Sequence, residues 1–302
     1  MADLGRLITA MVTPFREDGS VDYGQARALA DALFSSGSDG IVVCGTTGEA
    51  PTVTDQEKLR PFEEVKTVAR DRGTVIANTG NYSTAHSIEL TKAAEAAGVD
   101  AALLVVPYYN KPTQEGLYRH FKAIADSTRL SCVIYNVPSR TITDLSAETM
   151  VRLSKVPNIV GVKEASGNLA QIGAIIDGVS RPNFKVWSGN DSDTVAVMKR
   201  GGFGVVSVAA HLVGRQIKEM VRLCARGDFQ KAGDLEAKLM PLFQGLFVVA
   251  NPIPVKHALN LAGFPVGGLR LPLTSADSKT AAVVEALLKG LTIDLPLSSV
   301  RA

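Results

Sequence analysis

Short runs of consecutive apolar or small residues alternate along this chain with segments in which apolar positions recur every three or four residues. The runs are GRLITAMVTP (5–14), GIVVCGTTGE (40–49), TVIANTG (74–80), AALLVVPYY (101–109), CVIYNVP (132–138), IVGVKEAS (159–166), KVWSGND (185–191) and GVVSVAAH (204–211). Between them lie amphipathic stretches such as DYGQARALADALFSSG, DQEKLRPFEEVKTVARDRG, STAHSIELTKAAEAAG, QEGLYRHFKAIADST and SAETMVRLSKV. The first kind reads as strand and the second as helix. Gly37, Gly73 and Gly98 stand where helix C-terminal caps are expected. The strand runs are continuously apolar rather than alternating, which predicts a parallel sheet covered on both faces. Eight such units in succession predict a closed (β/α)8 TIM barrel. An open doubly wound sheet would carry a glycine-rich phosphate turn after its first strand, and MVTPFREDG is not one. Beyond residue 214 the pattern becomes all-helical, which predicts a barrel domain over 1–226 and a small C-terminal helical domain over 227–302.

Composition narrows the function classes. The chain has 302 residues, 46% of them hydrophobic and 21% charged, enough for a large core. A net charge of +2, with no basic block interleaved with aromatics, argues against a nucleic-acid partner. The start, MADLGRLITA, lacks the pattern of a secretory leader, and no apolar run reaches the ~18 residues of a membrane span. A cytoplasmic protein is expected. Cys44, Cys132 and Cys224 show no C-x-x-C spacing and read as small buried hydrophobes. The four histidines are too scattered for metal-ligand spacing, so no metal and no cofactor are expected.

The chemistry concentrates at strand ends. In IVGVKEAS a charged residue, Lys163, ends an apolar strand. Barrel enzymes place their active sites at this end of the strands. By alternation, Lys163 shares the lumen with Gly161 and Ile159, while Val160 and Val162 pack outward. Desolvation favours the neutral amine, which attacks carbonyls to form a Schiff base. The plainer alternative is a lysine reaching out of the rim or paired with Glu164. Other strand ends supply GTTGE, with glycines and the hydroxyls of Thr46 and Thr47 suited to a small anion; adjacent Tyr108 and Tyr109; and YNVPSR, with Tyr135 on the face of Val133 and Arg140 in the following turn. An amine, phenols, hydroxyls and a guanidinium at one rim fit carbonyl chemistry on acidic substrates.

GTTGE, PYYNKPTQEGLYRHF, YNVPSRT, GVKEASGNL, SGND and NPIPVK, in this order, resemble the dihydrodipicolinate synthase (4-hydroxy-tetrahydrodipicolinate synthase) family over nearly the whole chain. The resemblance implies condensation of pyruvate with L-aspartate 4-semialdehyde in the diaminopimelate and lysine pathway. It casts Lys163 as the Schiff-base lysine and Tyr135 as the proton relay, partnered by Thr46 and Tyr109. Thr47 falls at the pyruvate carboxylate site, Arg140 at the site for the semialdehyde's carboxylate, Val206 in the pyruvate pocket and Gly189 in the family's SGxD-type turn. It also implies a homotetramer, a dimer of dimers in which Tyr109 crosses into the neighbouring site. Related Schiff-base aldolases, the N-acetylneuraminate lyases and 2-keto-3-deoxy sugar acid aldolases, share the lysine and tyrosine. Arg140 favours the synthase over them. A non-catalytic metabolite-binding barrel is the remaining alternative. Lysine-inhibited members often carry an asparagine and a glutamate where this chain has Tyr82 and His86, and histidines where it has Asp55 and Lys58. The tail LTIDLPLSSVRA is expected to strap onto a neighbour or to fray.

Overall fold

The computed structural model describes residues 3–296. Eight parallel strands close in sequence order into a barrel: β1 Leu7–Ala10, β2 Gly40–Val43, β3 Thr74–Asn78, β4 Ala101–Val105, β5 Ser131–Asn136, β6 Ile159–Glu164, β7 Lys185–Ser188 and β8 Gly204–Ser207. Pairing of β1 with β8, Ile8 opposite Val206, completes the ring. The helices around and after it are α1 Tyr23–Ser35, α2 Asp55–Ala69, α3 Thr84–Ala96, α4 Gln114–Asp126, the short α5 Pro138–Thr141, α6 Ala147–Leu153, α7 Leu169–Gly178, α8 Thr194–Lys199 and α9 Ala210–Ala225. Helices α10 Phe229–Gly245, α11 Ile253–Leu261 and α12 Ser278–Lys289 follow the last strand. No helix among the described residues is long and apolar enough to cross a membrane.

Local chemistry starts these helices where the sequence changes character. Asp22, Ser83, Thr113, Ser146 and Asn168 each accept a backbone N–H of the first helical turn. Thr54 and Glu57 form a reciprocal capping box at α2. Gly37 and Gly98 follow α1 and α3 with positive φ, as expected of terminal glycines. Gly73 does not cap α2. That helix ends on Arg70, whose φ is 45°, and Gly73 serves close approach instead, since a Cβ there would lie 2.4 Å from the Asp39 carbonyl oxygen.

The core has two layers. Between strands and helices lie Leu29, Leu33, Phe62, Phe121, Ile124 and Ile134, all fully buried. Each such side chain contributes about 1.5–3 kcal/mol by leaving water. The lumen is filled by Ile8, Val42, Ile76, Leu103, Val133, Tyr135, Trp187 and Val206. Strand β6 departs from simple alternation. Register shifts between Cys132 opposite Ile159 and Val133 opposite Gly161, leaving Val160 as an extra residue. Ile159 therefore packs under the helices and Val160 joins the lumen cluster, the reverse of the expected orientation, while Val162 packs outward as expected.

The described part of the tail turns back onto its own barrel. Asp294 donates its N–H to the Leu212 carbonyl, Gln216 N–H donates to the Asp294 carboxylate, and Leu295 is buried. Residues 291–296 are not frayed: this stretch packs on its own barrel. Residues 297–302 lie outside the described part.

Candidate active site

Strands β5 and β6 place Tyr135 directly beside Lys163. The bulge is over by this point, so both side chains turn inward. Lys163 is 5% exposed, and its Nζ lies 4.2 Å from the centre of the Tyr135 ring. Glycine at 161 makes room beneath the lysine, and that room is filled by Trp187: a Cβ on residue 161 would lie 2.6 Å from its ring. The Trp187 indole N–H donates to the Gly5 carbonyl, pinning this floor to the opposite end of the barrel. Glu164 is not the lysine's partner. Both its oxygens accept from Asn136 Nδ2 and one accepts from the Ser166 N–H. Burial pushes the Glu164 carboxyl up to about 7.

A second buried carboxylate does face this region. Asp191, two residues after Gly189, accepts the N–H groups of Val208 and Ala209 at 3.0 Å each. Burial raises its pKa, and its bonds from Ser207 and these amides, with the charge on Lys163, act in the opposite direction. Gly189 donates its N–H to the Glu164 carbonyl, and a Cβ there would meet Ala165 at 2.4 Å. Glycine thus lets the turn after β7 close over the end of β6. Val206 is buried in the lumen cluster with Tyr135. His211 ties the neighbouring loops together, Nε2 accepting from the Val12 N–H and Nδ1 bonding the Val208 carbonyl. Burial drives its pKa down to about 4, so the ring is neutral.

The GTTGE turn is tightly wound. Cys44 and Glu49 both have positive φ, and the N–H groups of Glu49 and Ala50 return to the carbonyls of Thr46 and Gly45. Thr46 faces a cavity of about 650 Å³. Val137, Arg140 and Tyr108 line the same cavity, and Val137 also belongs to the lumen cluster that holds Tyr135. Thr47 is buried behind the turn, its Oγ1 accepting from Asn251 Nδ2 at 2.9 Å. Arg140 is exposed at the rim, its Nη2 donating to the Asn251 carbonyl at 3.4 Å. Tyr109 lies apart from the other predicted residues: it is 92% exposed, with φ of 74°. The tyrosine that lines the chain's own cavity is Tyr108, stacked edge-on against Tyr82. The far wall holds Asp55, Lys58 and His86, with His86 and Lys58 both bonded to the Asp55 carboxylate. Burial works against ionisation of Asp55, but these two partners outweigh it and hold the carboxyl below its usual range.

Asn251, Lys256, Asp191 and His211 were given no role by sequence reasoning. The motifs NPIPVK and SGND pointed to the first three only as text. His211 closes an apolar run and carried no separate signal.

Known proteins share this sequence and fold. Residues 3–291 match the model of the dihydrodipicolinate synthetase family. A 4-hydroxy-tetrahydrodipicolinate synthase from Dehalococcoides mccartyi is 61% identical over 297 residues, 98% of this chain and 100% of the relative. The crystal structure of a dihydrodipicolinate synthase from Bacillus anthracis superposes with a TM-score of 0.94 at 43% identity, covering 97% of this chain and 100% of that one. The Acinetobacter baumannii dihydrodipicolinate synthase, solved in complex with pyruvate, gives a TM-score of 0.92 at 43% identity over 95% of this chain and 98% of its own. A barrel with an inward lysine and tyrosine, matched along almost its whole length at this identity, belongs to the dihydrodipicolinate synthetase family.

Proposed function

We propose that this chain is a 4-hydroxy-tetrahydrodipicolinate synthase, a lyase of the class I aldolase type that joins pyruvate to L-aspartate 4-semialdehyde through an imine on Lys163. The observation that carries the reading is the buried Lys163 amine against the Tyr135 ring. The amine adds to the keto carbon of pyruvate, water leaves, and an iminium forms. The iminium withdraws electrons from the adjacent methyl group, which gives up a proton to become an enamine carbon nucleophile. That carbon attacks the aldehyde. Tyr135 carries the protons in and out, with Thr46 and Tyr109 of the partner subunit as its hydroxyl partners. Thr47 receives the pyruvate carboxylate, with Val206 and the Gly189 turn closing the pocket. Arg140 receives the carboxylate of the second substrate. Holding two small acids in this way removes much of the entropic barrier to their encounter.

Tyr109 points away from its own site, and this supports an assembly in which copies exchange it: a homotetramer built as a dimer of dimers. The catalytic unit spans 1–226 and the helices of 227–302 form an appended unit. The setting is the cytoplasm. A coupled assay tests the choice of aldehyde: with pyruvate present, turnover is expected with aspartate semialdehyde and not with N-acetylmannosamine or glyceraldehyde. Turnover with a sugar aldehyde alone would move the chain to the related aldolases.

A further inference from the structure

We infer that Asn251, some 200 residues beyond the turn it touches, is a positioning residue that fixes which way the Thr47 hydroxyl proton points. The inference rests on the reading of Thr47 as the pyruvate carboxylate site. A threonine hydroxyl has one proton to give and lone pairs to receive. Asn251 Nδ2 donates into Thr47 Oγ1 at 2.9 Å, in a contact where both residues are buried. Oγ1 is therefore the acceptor of this bond, and its proton is left free to be donated elsewhere. A carboxylate only accepts hydrogen bonds, so a Thr47 hydroxyl held this way is committed to the donor role that an acidic substrate needs.

The opposite amide orientation is disfavoured. As placed, Asn251 leaves its Oδ1 buried without a hydrogen-bond partner. Turned over, it would bury an N–H₂ donor pair instead, and stranded donors are rarer in proteins than under-satisfied carbonyls.

The Asn251 backbone is anchored from several directions. Its carbonyl accepts from Arg140 Nη2. Five residues on, in α11, Lys256 Nζ lies 2.6 Å from Glu49 Oε1, with both side chains 1% exposed. Glu49 belongs to the same turn as Thr47, and its other oxygen accepts the Arg270 N–H. Lys256 also donates to the Gly268 carbonyl and rests over Phe15, whose ring Arg270 likewise covers. The segment after α10 is thus clamped to the GTTGE turn, and one of its residues touches the groups proposed to receive both substrates' carboxylates.

The test compares Asn251→Asp with Asn251→Ala in the full chain. Aspartate keeps the size but cannot donate when ionised, so the Thr47 proton turns toward it and a negative charge is placed beside the site. A lost hydrogen bond to a charged partner corresponds to about tenfold to hundredfold in affinity. Asn251→Asp should raise the KM for pyruvate by about tenfold or more, and by more than Asn251→Ala. In Asn251→Ala the KM for the semialdehyde should stay within about twofold, because the backbone carbonyl that meets Arg140 is unchanged and no charge is added. On a Thr47→Val background, Asn251→Ala should add no further rise in pyruvate KM. A residue that merely fills space gives the reverse result: the isosteric aspartate is tolerated better than alanine, or pyruvate KM stays put while thermal stability falls. Either outcome overturns the inference. Borohydride trapping of pyruvate on the unaltered chain runs alongside: failure of that labelling removes the functional reading itself, whereas normal labelling with a tolerant aspartate variant removes only the role given to Asn251.

Discussion

Replacing Lys256 by methionine keeps the length of the side chain and deletes its charge. Glu49 then remains buried, with the Arg270 N–H as its surviving polar contact. Removing one partner of a buried ion pair costs about 3–5 kcal/mol, because the remaining charge is stranded, whereas removing both is often close to neutral. For a domain of this size, an entropy of unfolding scaled by residue number turns a loss of about 4 kcal/mol into a fall of about 6 °C in Tm. The double variant Glu49→Gln/Lys256→Met should recover most of that fall, since the glutamine side-chain carbonyl can still accept the Arg270 N–H. Differential scanning calorimetry and urea titration of parent, both single variants and the double variant provide the cycle. A single-variant loss below about 1 kcal/mol, or strictly additive losses, would refute the argument that this pair holds the tail helices to the GTTGE turn.

Arg140→Ala should raise the KM for the semialdehyde by about tenfold or more, the worth of a charge-assisted contact, while leaving the yield of the borohydride-trapped pyruvate adduct unchanged. Tyr135→Phe should lower kcat by about 10²- to 10⁴-fold, the usual contribution of a proton relay, with the fold retained by circular dichroism. Acid should destabilise the fold through His120 and His211, whose pKa values burial lowers to about 4 from 6.5. The unfolded chain takes up these protons first, so stability from each is complete above pH 6.5 and falls away toward pH 4, by about 3 kcal/mol for each histidine. Glu164, at about 7 against 4.5, acts the other way and loses stability as pH rises over that interval. Glu164→Gln should therefore steepen the acid loss seen by urea titration between pH 7 and 4.5; an unchanged slope would contradict these assignments.

Much of the barrel was legible because its signals are local. Continuous apolar runs, side-chain caps and an eightfold alternation of periods each lie within a few residues, and the sheet that results closes in sequence order. Alternation placed Lys163, Tyr135 and Val133 correctly, since the ends of β5 and β6 pair regularly. It failed at Ile159 and Val160, where an extra residue shifts the register and nothing in IVGV announces it. Gly73 was read as a cap because glycine after a helical pattern usually is one, whereas here the nearby Asp39 backbone leaves no space for a Cβ. The attachment of Asn251 and Lys256 to the GTTGE turn joins residues some 200 positions apart. No periodicity carries that information. Tyr109 marks another limit: its 92% exposure within one chain gives it no partner there, and only family resemblance supplied its role.

The most direct test of the account is to incubate the protein with pyruvate, reduce with borohydride and map the modified peptide by mass spectrometry. The expected result is a single reduced pyruvyl adduct on Lys163, absent from a Lys163→Arg variant. Label on another lysine, or an unmodified Lys163 in active protein, would contradict the claim that this buried amine is the nucleophile.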